Sequence, residues 1–257
     1  MDIDSRSMLQ TLNAKAHSVV RRVGRVIPID AKRFLFRLRP GAVTWDLRDH
    51  GLVFVQIPKV ATTSMRAALG AFVAGEREID PAQVERRDAY VNERYSLNAF
   101  PAEIRSLSRH RFTFAFVRNP FDRLYSAYVN KVAAPVDGSI NLFDRHGISL
   151  DMTFPDFVEA ITALSDDRCD LHLRSQYRFI TDRAGVVVSF VGRFERLDSD
   201  WEVLSKRFGL PALPLRNESS HRPYHDAYTP ALARAVARRY RRDIELFGYE
   251  QEVGRLT

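Results

Sequence analysis

Two stretches of this chain share one pattern, a short apolar run that passes through a tight turn straight into a helix. "LVFVQIPKVATTSMRAAL" occupies residues 52–69 and "RFTFAFVRNPFDRLYSAYVNK" residues 111–131. The opening run of each is rich in β-branched and aromatic residues without polar alternation, which describes a strand buried on both faces. Such strands belong to parallel sheets covered by helices. The two units therefore predict an α/β fold with a mainly parallel sheet flanked by helices. Between them, "EREIDPAQVERRDAYVNERYSLNAFPAEIRSLSRH" is polar, expected to hold one or two helices, and long enough for the crossover that parallel strands require.

The rest of the chain continues the alternation. "TFPDFVEAITAL" reads as a helix with Thr153 as N-cap and Pro155 in its first turn. A third strand is expected around "GVVVSFVGRF", and "DSDWEVLSKRFG" as a helix stopped by Gly209. "TPALARAVARRYRRDIELFG" opens with Thr229 and Pro230, and reads as one terminal helix with Ala233, Val236, Tyr240, Ile244 and Phe247 on its buried face. With 257 residues the chain suits one large domain. Its boundaries are expected at residues 51–257, after a basic extension over residues 1–50 that is helical near "SVVRRVGRVIPIDAKRFLFRLRP".

Composition excludes several classes. Hydrophobic residues make up 45% and charged residues 28%, as in a globular chain. No apolar run approaches the ~20 residues of a membrane span, and the start lacks the apolar core of a secretory signal. Cys169 is the one cysteine, so an internal disulfide and a thiolate zinc cluster are both excluded. A net charge of +7 is compatible with a polyanionic ligand or with a solvated arginine-rich surface, and cannot choose between them.

The two turns are more discriminating. A strand-to-helix turn exposes backbone N–H groups at the positive end of the helix dipole, where an anion is favoured. Lys59 adds a point charge there, and Thr62, Thr63 and Ser64 add hydroxyl donors. The alternative is a hydroxyl that merely caps the helix beside a solvated lysine. The pattern GxxxxGK[ST] of nucleotide-binding loops is absent, with no glycine from Leu52 to Leu69. In the second unit Arg118 closes a strand and Ser126 follows on the next helix. Arg118 can grip a phosphate with its planar fork, or can be a salt-bridged strand end. Ligands of parallel sheets bind at the C-terminal strand edge, which would bring Lys59 and Arg118 to one rim.

With both turns in view, residues 51–250 resemble the sulfotransferases, in particular the carbohydrate sulfotransferases of the chondroitin and HNK-1 type and their bacterial relatives. "IPKVATTSMRAAL" is similar to the family's 5′-phosphosulfate loop and "FAFVRNPFDRLYSAYVNK" to its 3′-phosphate motif. "DLHLRSQY" and "FVGRFERLDSDW" are weaker matches in the same order. The resemblance implies a P-loop-kinase-like fold and the donor 3′-phosphoadenosine 5′-phosphosulfate (PAPS). Its sulfuryl group would go to a hydroxyl of a glycan or small-molecule acceptor, leaving adenosine 3′,5′-bisphosphate (PAP). It assigns Lys59, Val60, Ala61, Thr62, Thr63 and Ser64 to the phosphosulfate, and Arg118 and Ser126 to the 3′-phosphate. Arg222, in the late segment "NESSHRPYHDAY", would close over the 3′-phosphate, unless that segment is an ordinary polar loop.

Lys59 is the candidate for stabilising the leaving group, which needs no metal. His172 is the candidate base, with His221 in reserve, since an imidazole titrates near neutral pH; a histidine that only hydrogen-bonds is the alternative for His172. Leu173 stands where the family segment carries tryptophan, and the family's signal anchor and paired cysteines are missing. The missing anchor and cysteines predict a cytoplasmic, bacterial enzyme. Two rivals are a magnesium-dependent nucleoside-triphosphate kinase, which lacks its usual motif here, and a nucleic-acid-binding module. No recognition signature supports the latter, so no nucleic-acid partner is expected.

Overall fold

The computed structural model describes residues 41–133, 143–214 and 223–257. The chain divides into a unit of residues 1–40 and a unit of residues 41–257, and the second holds every element described. The helix expected near residues 18–40 lies outside the described residues.

The sheet has five strands, β1 (Ala42–Leu47), β2 (Leu52–Val55), β3 (Ser96–Ala99), β4 (Phe112–Val117) and β7 (Phe190–Arg193), in the order β3-β1-β2-β4-β7. β2, β4 and β7 pair in parallel, and β1 runs antiparallel to both β2 and β3. Four strands thus share one direction, as a mainly parallel sheet requires. A separate two-stranded ribbon joins β5 (Thr181–Asp182) to β6 (Gly185–Val186).

The helices are α1 (Thr62–Val73), α2 (Val84–Tyr95), α3 (Pro101–Ser108), α4 (Pro120–Tyr128), α5 (Phe154–Thr162), α6 (Tyr177–Ile180), α7 (Leu197–Phe208), α8 (Pro230–Arg239), α9 (Arg241–Phe247) and α10 (Glu250–Leu256). Among the described residues no helix is long and apolar enough to cross a membrane. Apolar strand residues explain the core. Phe54 and Phe114, paired in register across β2 and β4, stack at 5.1 Å, and Trp201 of α7 meets both Phe114 and Phe116 edge-on or tilted. Gly192 leaves the space that the Phe116 ring fills.

Three differences from the sequence reading have physical reasons. β1 falls inside the stretch assigned to a helical extension. Trp45 and Leu47 are fully buried there, and a short turn ending at Gly51 (φ 69°) folds the strand back onto β2. β3 was hidden inside a polar crossover because it is four residues long at the sheet edge, held by backbone pairing to β1 more than by its side chains. The expected single terminal helix breaks at Tyr240 (φ −108°, ψ 22°), whose buried ring sends its hydroxyl to the Leu173 carbonyl at 2.7 Å. Thr153 and Gly209 do act as helix cap and helix stop.

Candidate functional site

The turn after β2 is built without glycine, yet Lys59 (φ 72°) and Ala61 (φ 64°) both adopt the left-handed conformation. Such residues carry strain that surrounding contacts must hold. Two arginines supply those contacts: Arg123 donates through Nε to the Pro58 carbonyl at 3.0 Å, and Arg118 through Nη1 to the Lys59 carbonyl at 3.0 Å. Because the peptides are trans, turning these carbonyls toward the arginines points the N–H groups of Lys59 and Val60 the opposite way. Val60 itself is fully buried and anchors the turn in the core.

The turn leads into α1, whose N-cap residue Ala61 makes no side-chain cap. The hydroxyl-capping alternative is therefore not the arrangement adopted. Thr62 turns its hydroxyl back to the Ile57 carbonyl at 2.7 Å, so this expected donor is spent on the turn itself, while Thr63 is exposed and Ser64 half-buried. The first N–H groups of α1 lack intrahelical partners and sit at the dipole's positive end, a ready anion site. Lys59 is half-buried beside them. Burial, and then the charges of Lys131, Arg118 and Arg123, push its ammonium down to about 8. An anion placed here would relieve three neighbouring positive charges at once.

Arg118 does reach the same rim, but in company the sequence did not reveal. Its fork closes on Asp122, Nε to Oδ2 and Nη2 to Oδ1, both at 2.7 Å, and its plane lies 4.0 Å from the centre of the Phe194 ring. Asp122 is one turn further on, in the first turn of α4, where the dipole favours a carboxylate. This is the salt-bridged strand end that the sequence left open as the alternative. Among the described residues three of the five guanidinium N–H groups are engaged, two by Asp122 and one by Lys59, and two remain. Ser126 lies one further turn along α4, buried, and its hydroxyl has no hydrogen-bond partner among the described residues.

The backbone of Arg118 is held as firmly as its side chain. The Gln176 amide pairs with it in both directions, accepting from the Arg118 N–H at 2.9 Å and donating to its carbonyl at 2.7 Å. Gln176 and Tyr177 in turn donate their N–H groups to the buried Asp243 carboxylate, whose burial raises it to about 6.

His172 stands in the irregular stretch between α5 and α6. Its Nδ1 lies 2.7 Å from Asp170 Oδ1, and its backbone N–H donates to the same oxygen at 2.9 Å. The ring is partly exposed and packs 6.2 Å from Phe143. Arg222 and the reserve histidine His221 lie outside the described residues.

Two basic residues escaped the sequence reading. Arg123 is almost fully buried and donates to three carbonyls, Pro58, Leu171 and Arg174, on two separate segments. Lys131 stands in a π-helical turn, Val129–Ala133, that extends α4 toward Lys59. A run of "RLYSAYVNK" with basic residues at both ends was the available signal, but only the fold shows that both ends face the Lys59 turn.

A family profile described as the sulfotransferase family matches residues 44–250, from β1 to the start of α10. The chain belongs to the sulfotransferase family. Among its curated relatives are carbohydrate sulfotransferase 14 of Danio rerio, 26% identical over 232 residues, covering 78% of this chain and 60% of the relative. The human protein of the same name is 28% identical over 226 residues, covering 77% of this chain and 57% of its own. Carbohydrate sulfotransferase 11 of Rattus norvegicus is 31% identical over 143 residues, covering 54% of this chain and 37% of the relative. The chain thus spans 57 to 60% of the length of the two versions of carbohydrate sulfotransferase 14. No solved structure matches it at a comparable significance.

Proposed function

We propose that this sulfotransferase moves a sulfuryl group from PAPS to a hydroxyl of a carbohydrate or glycan-type acceptor. The observation that carries the reading is the turn at residues 58–64: a row of outward N–H groups, backed by two arginines, with Lys59 beside it. The donor's two anionic ends match two sites on neighbouring strand ends, the Lys59 turn after β2 and Arg118 with Ser126 after β4. Bound there, PAPS supplies the sulfuryl group and the leaving phosphate. The N–H groups and Lys59 hold its phosphosulfate, and Arg118 offers its two remaining N–H groups to the 3′-phosphate.

During transfer the acceptor oxygen bonds to sulfur as the bond from sulfur to the phosphate oxygen breaks. Lys59, largely protonated at pH 7, neutralises the charge that gathers on the departing oxygen. His172 takes the acceptor proton: with Nδ1 turned to Asp170, Nε2 is the free basic atom, and the carboxylate stabilises the imidazolium that forms. The lysine supplies the electrophilic assistance, so the proposal includes no metal. A reducing, cytoplasmic setting belongs to the same proposal, supported by the buried Cys169 being the one thiol in the sequence.

Calorimetric titration with PAP, and with AMP and ATP as controls at one salt concentration, tests the donor assignment. PAP is expected to bind at least about ten-fold more tightly than either control. Arg118→Ala should lose mainly PAP affinity, Lys59→Ala mainly turnover, and His172→Ala should slow transfer while keeping PAP binding. Failure of PAP to bind, or a preference for ATP with magnesium, overturns the reading.

A further inference from the structure

Arg123 is buried, and among the described residues none of its hydrogen bonds goes to a carboxylate. Its Nε reaches the Pro58 carbonyl at 3.0 Å, Nη1 the Arg174 carbonyl at 2.9 Å and Nη2 the Leu171 carbonyl at 3.2 Å. Only 2% of the residue is exposed, and burial pushes its guanidinium below the usual arginine range. A buried cation is unfavourable unless its donors are well satisfied. Here the fork is satisfied by carbonyls from two segments far apart in sequence, which means that its donors join those segments.

The residues it holds are informative. Pro58 immediately precedes Lys59, and Leu171 immediately precedes His172. Neither neighbour sits on a regular element: Lys59 is on the left-handed turn, and His172 is on irregular chain between α5 and α6. The His172 segment has other ties, from Tyr240 to the Leu173 carbonyl and from Arg174 to the Asp166 carbonyl, but neither of these reaches the Lys59 turn. Arg123 reaches both sides with one rigid plane.

Building on the sulfotransfer reading, we propose that Arg123 is a positioning residue that locks the Lys59 turn and the His172 turn into one register. The leaving-group cation and the acceptor base then face the same sulfuryl group. It touches neither donor nor acceptor. Its effect on rate comes from the alignment of two groups that reach the reacting atoms, where small displacements are expensive. Lysine cannot substitute, because an ammonium radiates its donors from one point and cannot span three carbonyls on two segments.

The test compares wild type with Arg123→Lys and Arg123→Gln. In the folded variants PAP affinity should stay within about three-fold of wild type while kcat for transfer from labelled PAPS falls about 100-fold or more. In ligand-free protein, amide hydrogen exchange should quicken together at residues 57–61 and 170–175 and stay unchanged in β2 and β4. If kcat is unaffected, if it falls only in step with PAP affinity and melting temperature, or if one segment loosens alone, the inference is wrong. Should both variants fail to fold, exchange in the wild type decides: PAP should slow exchange at 170–175 as well as at 57–64, and protection confined to 57–64 overturns the coupling. A wild type that ignores PAP while its variants loosen both segments together would sink the donor reading and leave the coupling standing.

Discussion

At the scale of single residues, the site stores unfavourable charge. Lys59 is pushed down to about 8 in the folded chain from an ordinary 10.5, so between those values the unfolded chain binds more protons and stability rises with pH. Below pH 8 the buried ammonium is a burden. Lys59→Met is therefore expected to raise stability at pH 7 by roughly 1–2 kcal/mol in urea unfolding, a gain that shrinks toward pH 10, while transfer activity is lost. An anion beside Lys59 restores its proton, so PAP binding should weaken as pH rises through about 8. Calorimetry near that pH, in buffers of different ionisation heat, should register proton uptake. Asp243 shows the opposite sign for an acid. Its carboxyl is raised to about 6 from 3.8, so the folded state holds the extra proton between those values and its contribution to stability falls as pH rises through them. The stability of wild type relative to Asp243→Asn should drop by about 2–3 kcal/mol between pH 4 and pH 7, read from denaturant curves at each pH.

At the scale of elements, the two strand-to-helix units were legible because their apolar runs leave no other reading. α1 starts at Thr62, directly after the turn, and continues to Val73, and β4 occupies most of "RFTFAFV". β1 and β3 were not legible, since pairing with a neighbour decides whether a short edge segment becomes a strand. Nor was the need for Gly192. It stands in the middle of β7, where glycine ordinarily weakens a strand, and only the sheet register shows it beneath the Phe116 ring. A Cβ there would run into that fully buried ring. Gly192→Ala is expected to destabilise the protein by about 1–3 kcal/mol in thermal or urea unfolding, whereas the same change at Gly254, inside α10 with open space around it, should be neutral or stabilise by up to about 1 kcal/mol.

At the scale of the whole molecule, ligand binding and folding are linked. The Lys59 turn, Arg118 and the His172 segment join β2, β4, α4 and the chain before α6, so a ligand that grips the rim stabilises the fold as a unit. PAP at about 100 times its Kd should add about 2.7 kcal/mol and raise the melting temperature by about 5–10 °C, and AMP at the same concentration much less. An equal shift with both nucleotides would remove the 3′-phosphate site from the account. The sequence by itself determined the α/β order, the parallel centre of the sheet, the family and the position of Lys59, because hydrophobic periodicity and contiguous motifs are local properties of a chain. Only the tertiary structure decided which partners the arginines take. Arg118 and Arg123 are five residues apart, yet one closes on Asp122 and the other on carbonyls 48 to 65 residues away. A guanidinium's role depends on which groups the fold leaves within reach and out of water, and that is fixed when distant segments meet.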